Sequence, residues 1–152
     1  MKFISFNHDN SEKFGIIENN LITDLTEKID GASSLKELIK IKKIKEAKEY
    51  AKSNSGSIKP DQIKYSPLIP NPGKIICVGL NYSEHVKETN RTVEENPVIF
   101  HRFPESQTAH MQAIQRPTVS ESLDFEGEMA VVMDEGGKHI KPEDALKYIV
   151  GF

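Results

Sequence analysis

The chain is poor in the features that most often announce a function. Of its 152 residues one is cysteine. Cys77 sits in an apolar run and has no internal partner, so a disulfide framework is excluded. Charge of one sign is also missing. Twenty Lys and Arg stand against 23 Asp and Glu, a balance without the basic excess expected of a nucleic-acid binder. No apolar run is long enough to suggest a membrane helix. The opening Met1-Lys2-Phe3-Ile4-Ser5-Phe6 lacks the apolar core and cleavage site of a secretory signal. A cytoplasmic soluble protein, with no nucleic-acid or membrane partner, is the expectation. There is no internal repeat.

What is present begins with strand-like segments. Lys2 to Phe6, Phe14 to Glu18 and Leu21 to Leu25 read as three strands, the last two joined by Asn19-Asn20. Asparagine tolerates positive φ, which suits a two-residue hairpin turn. Ser34-Leu35-Lys36-Glu37 matches a capping box. Behind it Leu35, Leu38, Ile39, Ile41, Ile44, Ala47 and Ala51 predict one lysine-studded amphipathic helix. Glu37, Glu46 and Glu49 dilute its lysines, and a solvated face is the simpler reading than an anionic partner. Ser53 to Ser57 ends the helix, and Pro60, Pro67, Pro70 and Pro72 mark an extended linker. The division falls there: a small domain over 1–66 and a second region over 72–152.

The second region carries the chemistry. Leu123 to Met133 reads as a strand that becomes buried on both faces from Ala130. Alternation on that strand places Asp124, Glu126 and Glu128 on one side. Desolvated carboxylates at such spacing need a cation among them, and oxygen donors suit Mg²⁺, Mn²⁺ or Ca²⁺. The alternative is a solvated strand mouth, or pairing with Arg102 and Arg116. Lys74 to Gly79 predicts a compact buried strand, followed by a short helix that Asn81 caps. His85 and Glu88, three apart, share a face of that helix. A carboxylate beside a histidine fixes its tautomer and raises its basicity, so the pair can take a proton from water. A surface pair of no function has the same spacing; its place just after a buried strand favours a site. Val98 to Phe103 predicts another strand. Lys138-His139-Ile140 is expected to pair back on the acid strand. Lys141 to Val150 reads as an amphipathic helix whose apolar face needs a partner, so the second region is expected to be unfinished.

Three runs together resemble the fumarylacetoacetate hydrolase family. They are Lys74-Ile75-Ile76-Cys77-Val78-Gly79-Leu80-Asn81-Tyr82-Ser83-Glu84-His85, then Pro97-Val98-Ile99-Phe100, then Asp124-Phe125-Glu126-Gly127-Glu128-Met129-Ala130-Val131-Val132. The tail from Ile140 to Phe152 is similar to the family's next segment. The resemblance implies an α+β protein: a small β-rich N-terminal domain, then part of a mixed, rolled β-structure, in a homodimer. It implies Mg²⁺ or Mn²⁺ held by Glu126 and Glu128, with a third aspartate beyond the matched segments. It implies His85, oriented by Glu88, as the catalytic pair, with Tyr82 and Arg102 against a small keto-acid substrate. Hydrolysis of a C–C bond in an acylpyruvate or a fumarylacetoacetate-like 1,3-dicarbonyl acid is the leading expectation. Oxaloacetate decarboxylation and isomerisation of catechol-pathway diacids are alternatives within the family. An inactive remnant that acts only by protein association is the alternative outside it. Two positions depart from the family pattern: Asp134 replaces a common glycine, and Met111 interrupts a His-Gly-Gln run.

Overall fold

The local sequence of the first 25 residues closes two tight turns. Asp9 and Asn10, then Asn19 and Asn20, all take positive φ between 51° and 60°, the paired left-handed conformation that matches the twist of flanking strands. They join β1 (Lys2–His8), β2 (Ser11–Glu18) and β3 (Leu21–Asp24) into an antiparallel meander. The three expected strands and the Asn19-Asn20 hairpin are therefore observed, in a computed structural model that describes residues 1–92, 95–124 and 127–152. β4 (Lys64–Tyr65) adds on the free edge of β1, giving the order β3-β2-β1-β4.

Ser34 caps α1 (Leu35–Lys40), its hydroxyl accepting from the Glu37 N–H. The long helix expected over 35–51 is broken in two. The Lys43 N–H reaches back to the Leu38 carbonyl and the Lys42 N–H to that of Ile39, with Lys42 at φ 59°. This is a Schellman closure in which lysine occupies the position glycine usually takes. α2 (Ile44–Ser53) then begins. The break lets both short helices press their apolar faces on the sheet. Phe14, Ile16, Leu25, Ile29, Leu35, Leu38, Ile39 and Ala47 form one buried cluster, with Phe3, Ile44, Tyr50, Val132 and Val150 packed at its margin.

By contacts the chain divides into two compact units, Met1–Ile69 with Thr108–Phe152, and Pro70–Gln107. Thr108–Phe152 is grouped with Met1–Ile69 by its packing. The fold is mixed, α+β, with sheets built from antiparallel pairs.

The remainder of the first unit departs from expectation. β7 is two residues, Val132–Met133, and residues 127–131 carry no strand and are exposed. A strand buried on both faces needs neighbours on either side. Among the described residues β7 has one, β8 (Ile149–Gly151), which pairs with it through a bulge. Among the described residues Lys138-His139-Ile140 does not pair back. The predicted terminal helix is a run of tight 3₁₀ turns over Pro142–Tyr148 that passes straight into β8. Lys42 holds Glu135 at 2.9 Å, tying the helix break to the turn after β7.

The second unit is smaller. β5 (Ile75–Gly79) and β6 (Val98–Arg102) form a two-stranded antiparallel ladder, with Cys77 opposite Phe100 and Ile75 opposite Arg102. β5 is half-buried rather than buried, and every residue of β6 is exposed. α3 (Ser83–Glu88) follows β5. Among the described residues no helix is long and apolar enough to cross a membrane.

Candidate functional site

The path from β5 to α3 sets up the one pair of expected catalytic residues that the structure joins. β5 ends at Gly79, where a Cβ would meet Val98 and Phe100 side chains at 3.4 to 3.6 Å. Leu80 then takes φ 56°. That left-handed conformation is uncommon for a branched side chain, and it turns the chain sharply out of the ladder. The expected cap, Asn81, is displaced by one residue: Tyr82 holds the N-cap position, with no side-chain cap bond. The hydrogen bond from the Val86 N–H to the Tyr82 carbonyl closes the first turn.

α3 stops as cleanly as it starts. The Arg91 N–H bonds the Val86 carbonyl and the Asn90 N–H that of Lys87, with Asn90 at φ 53°. Asparagine in the left-handed cap position makes this a second Schellman closure. Six residues are thus fixed as helix, with Val86 buried. His85 is half-buried and Glu88 exposed. Nδ1 of His85 is 3.6 Å from Oε2 of Glu88, with the side chains 43% and 76% exposed. At that separation a small rotation of either side chain brings them to hydrogen-bond distance. A carboxylate near Nδ1 favours the tautomer that carries its proton on that nitrogen. On the same helix Glu84 pairs with Lys87 at 2.7 Å, so it does not compete for the imidazole.

Tyr82 and Arg102 belong to the same unit as His85 and Glu88, and both are exposed. Glu128 belongs to the other unit and is exposed. Glu126, the other expected metal donor, lies outside the described residues, as does Phe125 beside it. Arg116, an alternative partner for these acids, directs its guanidinium to the Ser120 and Pro117 carbonyls. Two carboxylates one residue apart are the right donor chemistry for a hard cation. Among the described residues, however, no three His, Cys, Asp or Glu side chains converge as a metal cluster. The donor type fits and the described donor number does not complete a site.

Sequence reasoning missed the turn at Leu80. A positive φ at leucine has no local signal, because the residues that favour it are glycine, asparagine and aspartate.

The sequence model described as Fumarylacetoacetate (FAA) hydrolase C-terminal matches residues 74–152. The protein named oxaloacetate tautomerase Fahd2a, mitochondrial, of Rattus norvegicus is 43% identical over 91 residues, 60% of this chain and 29% of its own length. The corresponding fahd2 protein of Xenopus laevis is 39% identical over 106 residues, 70% of this chain and 33% of its own length. Among solved structures, the fumarylacetoacetate hydrolase of the psychrophile Exiguobacterium antarcticum superposes with a TM-score of 0.72 at 26% identity, covering 99% of this chain and 53% of that one. The chain thus spans about a third of the length of these curated relatives and half that of the solved structure. The cytoplasmic expectation is corrected by these relatives, which are named as mitochondrial proteins. Absence of a secretory signal had excluded one destination only, and the cytosolic default does not follow from it. Members of the family are enzymes that commonly use divalent metals. By its matched segment, which covers more than half of the residues, this chain belongs to the fumarylacetoacetate hydrolase family.

Proposed function

We propose that this chain supplies the proton-transfer pair of an enzyme acting on small keto acids with a second carbonyl two carbons away. The observation that carries this reading is the His85–Glu88 pair, 3.6 Å apart on a short helix capped at its C-terminal end by a Schellman closure. His85, oriented by Glu88, acts as general base. For a 1,3-dicarbonyl acid such as an acylpyruvate, it takes a proton from water and the hydroxide adds to the remote carbonyl. The C–C bond then breaks, its electron pair passing to the pyruvate enolate, which is protonated on release. The products are a carboxylic acid and pyruvate.

A second reading is interconversion of the keto and enol forms of oxaloacetate, and the names of the Rattus and Xenopus relatives favour it. The same base serves, here removing a proton from carbon without adding water. Glu126 and Glu128 are the carboxylates we propose would hold Mg²⁺ or Mn²⁺, which would supply Lewis-acid polarisation of the keto-acid oxygens. Tyr82 and Arg102 are proposed to contact the substrate, Arg102 through its carboxylate. The proposed chain organisation is a small domain over 1–66 and a catalytic region over 72–152, in a homodimer.

The test is turnover of acetylpyruvate and of oxaloacetate by the purified chain with Mg²⁺ or Mn²⁺ added. His85→Ala is expected to lower kcat by about 100-fold or more, the usual contribution of a positioned base. No turnover of either compound, together with no metal-induced thermal shift, overturns the reading.

A further inference from the structure

Lys42 closes α1 in the left-handed conformation, at φ 59°. Glycine or asparagine takes that position without strain, whereas a lysine does not. The backbone thus gives no reason for a lysine, and the side chain does. Its Nζ lies 2.9 Å from Oε2 of Glu135, in the turn after β7. The hydrogen bond from Glu135, its charge and the charge of Asp134 hold the Lys42 ammonium above its ordinary value. Among the described ion pairs this one reaches furthest along the chain, across 93 residues, and the others join positions no more than 17 apart. It is therefore the described ion pair that ties the N-terminal helices to the family-matched residues 74–152.

What it ties down has little else to hold it. In the β7–β8 hairpin Val132 faces Gly151 and Met133 faces Ile149 across a bulge, and the Asp134 N–H adds one bond to the Tyr148 carbonyl at 2.8 Å. Strands of two and three residues do not make a stable hairpin by themselves. Each strand lends one side chain, Val132 and Val150, to the margin of the buried cluster that includes Leu35, Leu38 and Ile39. Met133 and Leu146 stay 51% and 77% exposed, so apolar packing beyond that margin is thin. The start of the same segment is moored separately: Gln112 Nε2 donates to the Tyr65 carbonyl, and the His110 ring meets the edge of Tyr65. Between the two moorings the described residues from 113 to 131 are exposed, with Ser120 alone half-buried.

We propose that Lys42 is a latch: its ion pair with Glu135 fastens the β7–β8 hairpin to the N-terminal sheet and helices, and breaking that pair lets the hairpin open while the sheet stays folded. The strain at Lys42 is then explained by position. The break after α1 is where an ammonium reaches the turn after β7, and a residue without a long cationic side chain cannot make the tie. Opening of this kind is a local equilibrium, distinct from global unfolding. Because the pair is exposed, salt weakens it.

The experiment is native-state hydrogen exchange on the whole chain, read at two amides. Asp134, bonded to Tyr148, reports the hairpin, and Leu25, bonded to Phe14, reports the sheet. Lys42→Met keeps the strained backbone and removes the charge, whereas Lys42→Gly removes both strain and charge. Both are expected to speed exchange at Asp134 about threefold, the scale of one exposed ion pair, and to leave Leu25 protected relative to Asp134. Lys42→Arg, which keeps the charge, should exchange as wild type does. Added sodium chloride should speed Asp134 exchange in wild type and leave it unchanged in Lys42→Met. Asp134 exchange that is unmoved in both Lys42→Met and Lys42→Gly overturns the proposal, as does a Lys42→Arg variant as fast as Lys42→Met. Loss of protection at Leu25 in step with Asp134 also overturns it, because hairpin and sheet would then open as one. None of these readouts uses a substrate or a metal, so the keto-acid reading stands or falls separately.

Discussion

The N-terminal sheet and the β5–β6 ladder are made of similar residues and end in opposite states. In the sheet and the segments packed on it, Phe14, Ile16, Ile22, Leu25 and Leu38 are all at or below 1% exposure. In the ladder, Ile76 and Ile99 are 61% and 55% exposed, with Val98 and Phe100 not far behind. The sheet has four strands and two helices that lay apolar faces on it. The ladder has two strands, a number that rarely makes a stable sheet by itself. An apolar strand is therefore not a buried strand. Burial depends on whether the chain supplies a second layer, and in the first unit it does.

That contrast sets the scale of the predicted effects. The largest belongs to the sheet's core. Leu38→Ala removes a fully buried side chain and is expected to cost about 3 kcal/mol in urea unfolding. Ile99→Ala in the ladder is expected to cost about 0.5 kcal/mol or less. Equal losses at the two positions would show that the ladder is as closely packed as the sheet.

A smaller effect tests the polar tie across β2 and β3. Lys13 Nζ lies 2.7 Å from Oδ2 of Asp24, whose other oxygen accepts from the Thr26 N–H. Burial pushes the Asp24 carboxyl up, but the hydrogen bonds from Lys13 and Thr26 and the charge of Lys13 outweigh it and hold the group below its ordinary value. Its contribution to stability is therefore complete above the ordinary value of 3.8 and is lost as pH falls through the lower folded value. Asp24→Asn is expected to cost about 1 kcal/mol at neutral pH. The gap between wild type and variant should narrow when unfolding is repeated near pH 3 or below. A gap that widens in acid contradicts the assignment.

The smallest effect is a gain. Met111 is 88% exposed and holds φ 62°. It stands in the His110-Met111-Gln112 run. Met111→Gly relieves the left-handed strain, less the extra freedom glycine gives the unfolded chain, for a net stabilisation of about 0.5 kcal/mol. A lower melting temperature in the variant would mean that the methionine side chain has a packing role.

The match between sequence and structure follows the same divide. Asn19-Asn20 and the Ser34 cap were legible because the residues that make a turn or a cap are its immediate neighbours. The break at Lys42 was not, since lysine in a left-handed cap carries no local signal and the periodicity of Ile41 and Ile44 runs straight through it. The run Ala130-Val131-Val132-Met133 reads as a doubly buried strand by composition, yet two of its residues form β7 and they pair only with β8 among the described residues. For the site, the spacing of His85 and Glu88 was legible and their 3.6 Å approach followed from helical geometry.

The sequence by itself determined the β-meander with its asparagine turn, the start of the first helix, the His85–Glu88 pairing and the family. Each is written in neighbouring residues or in motifs of fixed order. Only the tertiary structure decided where the lysine-rich helix breaks, that the terminal segment becomes 3₁₀ turns and a strand, and that Leu80 takes a left-handed conformation between β5 and α3. These depend on what is packed or hydrogen-bonded across the fold. A strand without a neighbour, or an apolar face without a second layer, cannot stay in the form its composition alone suggests.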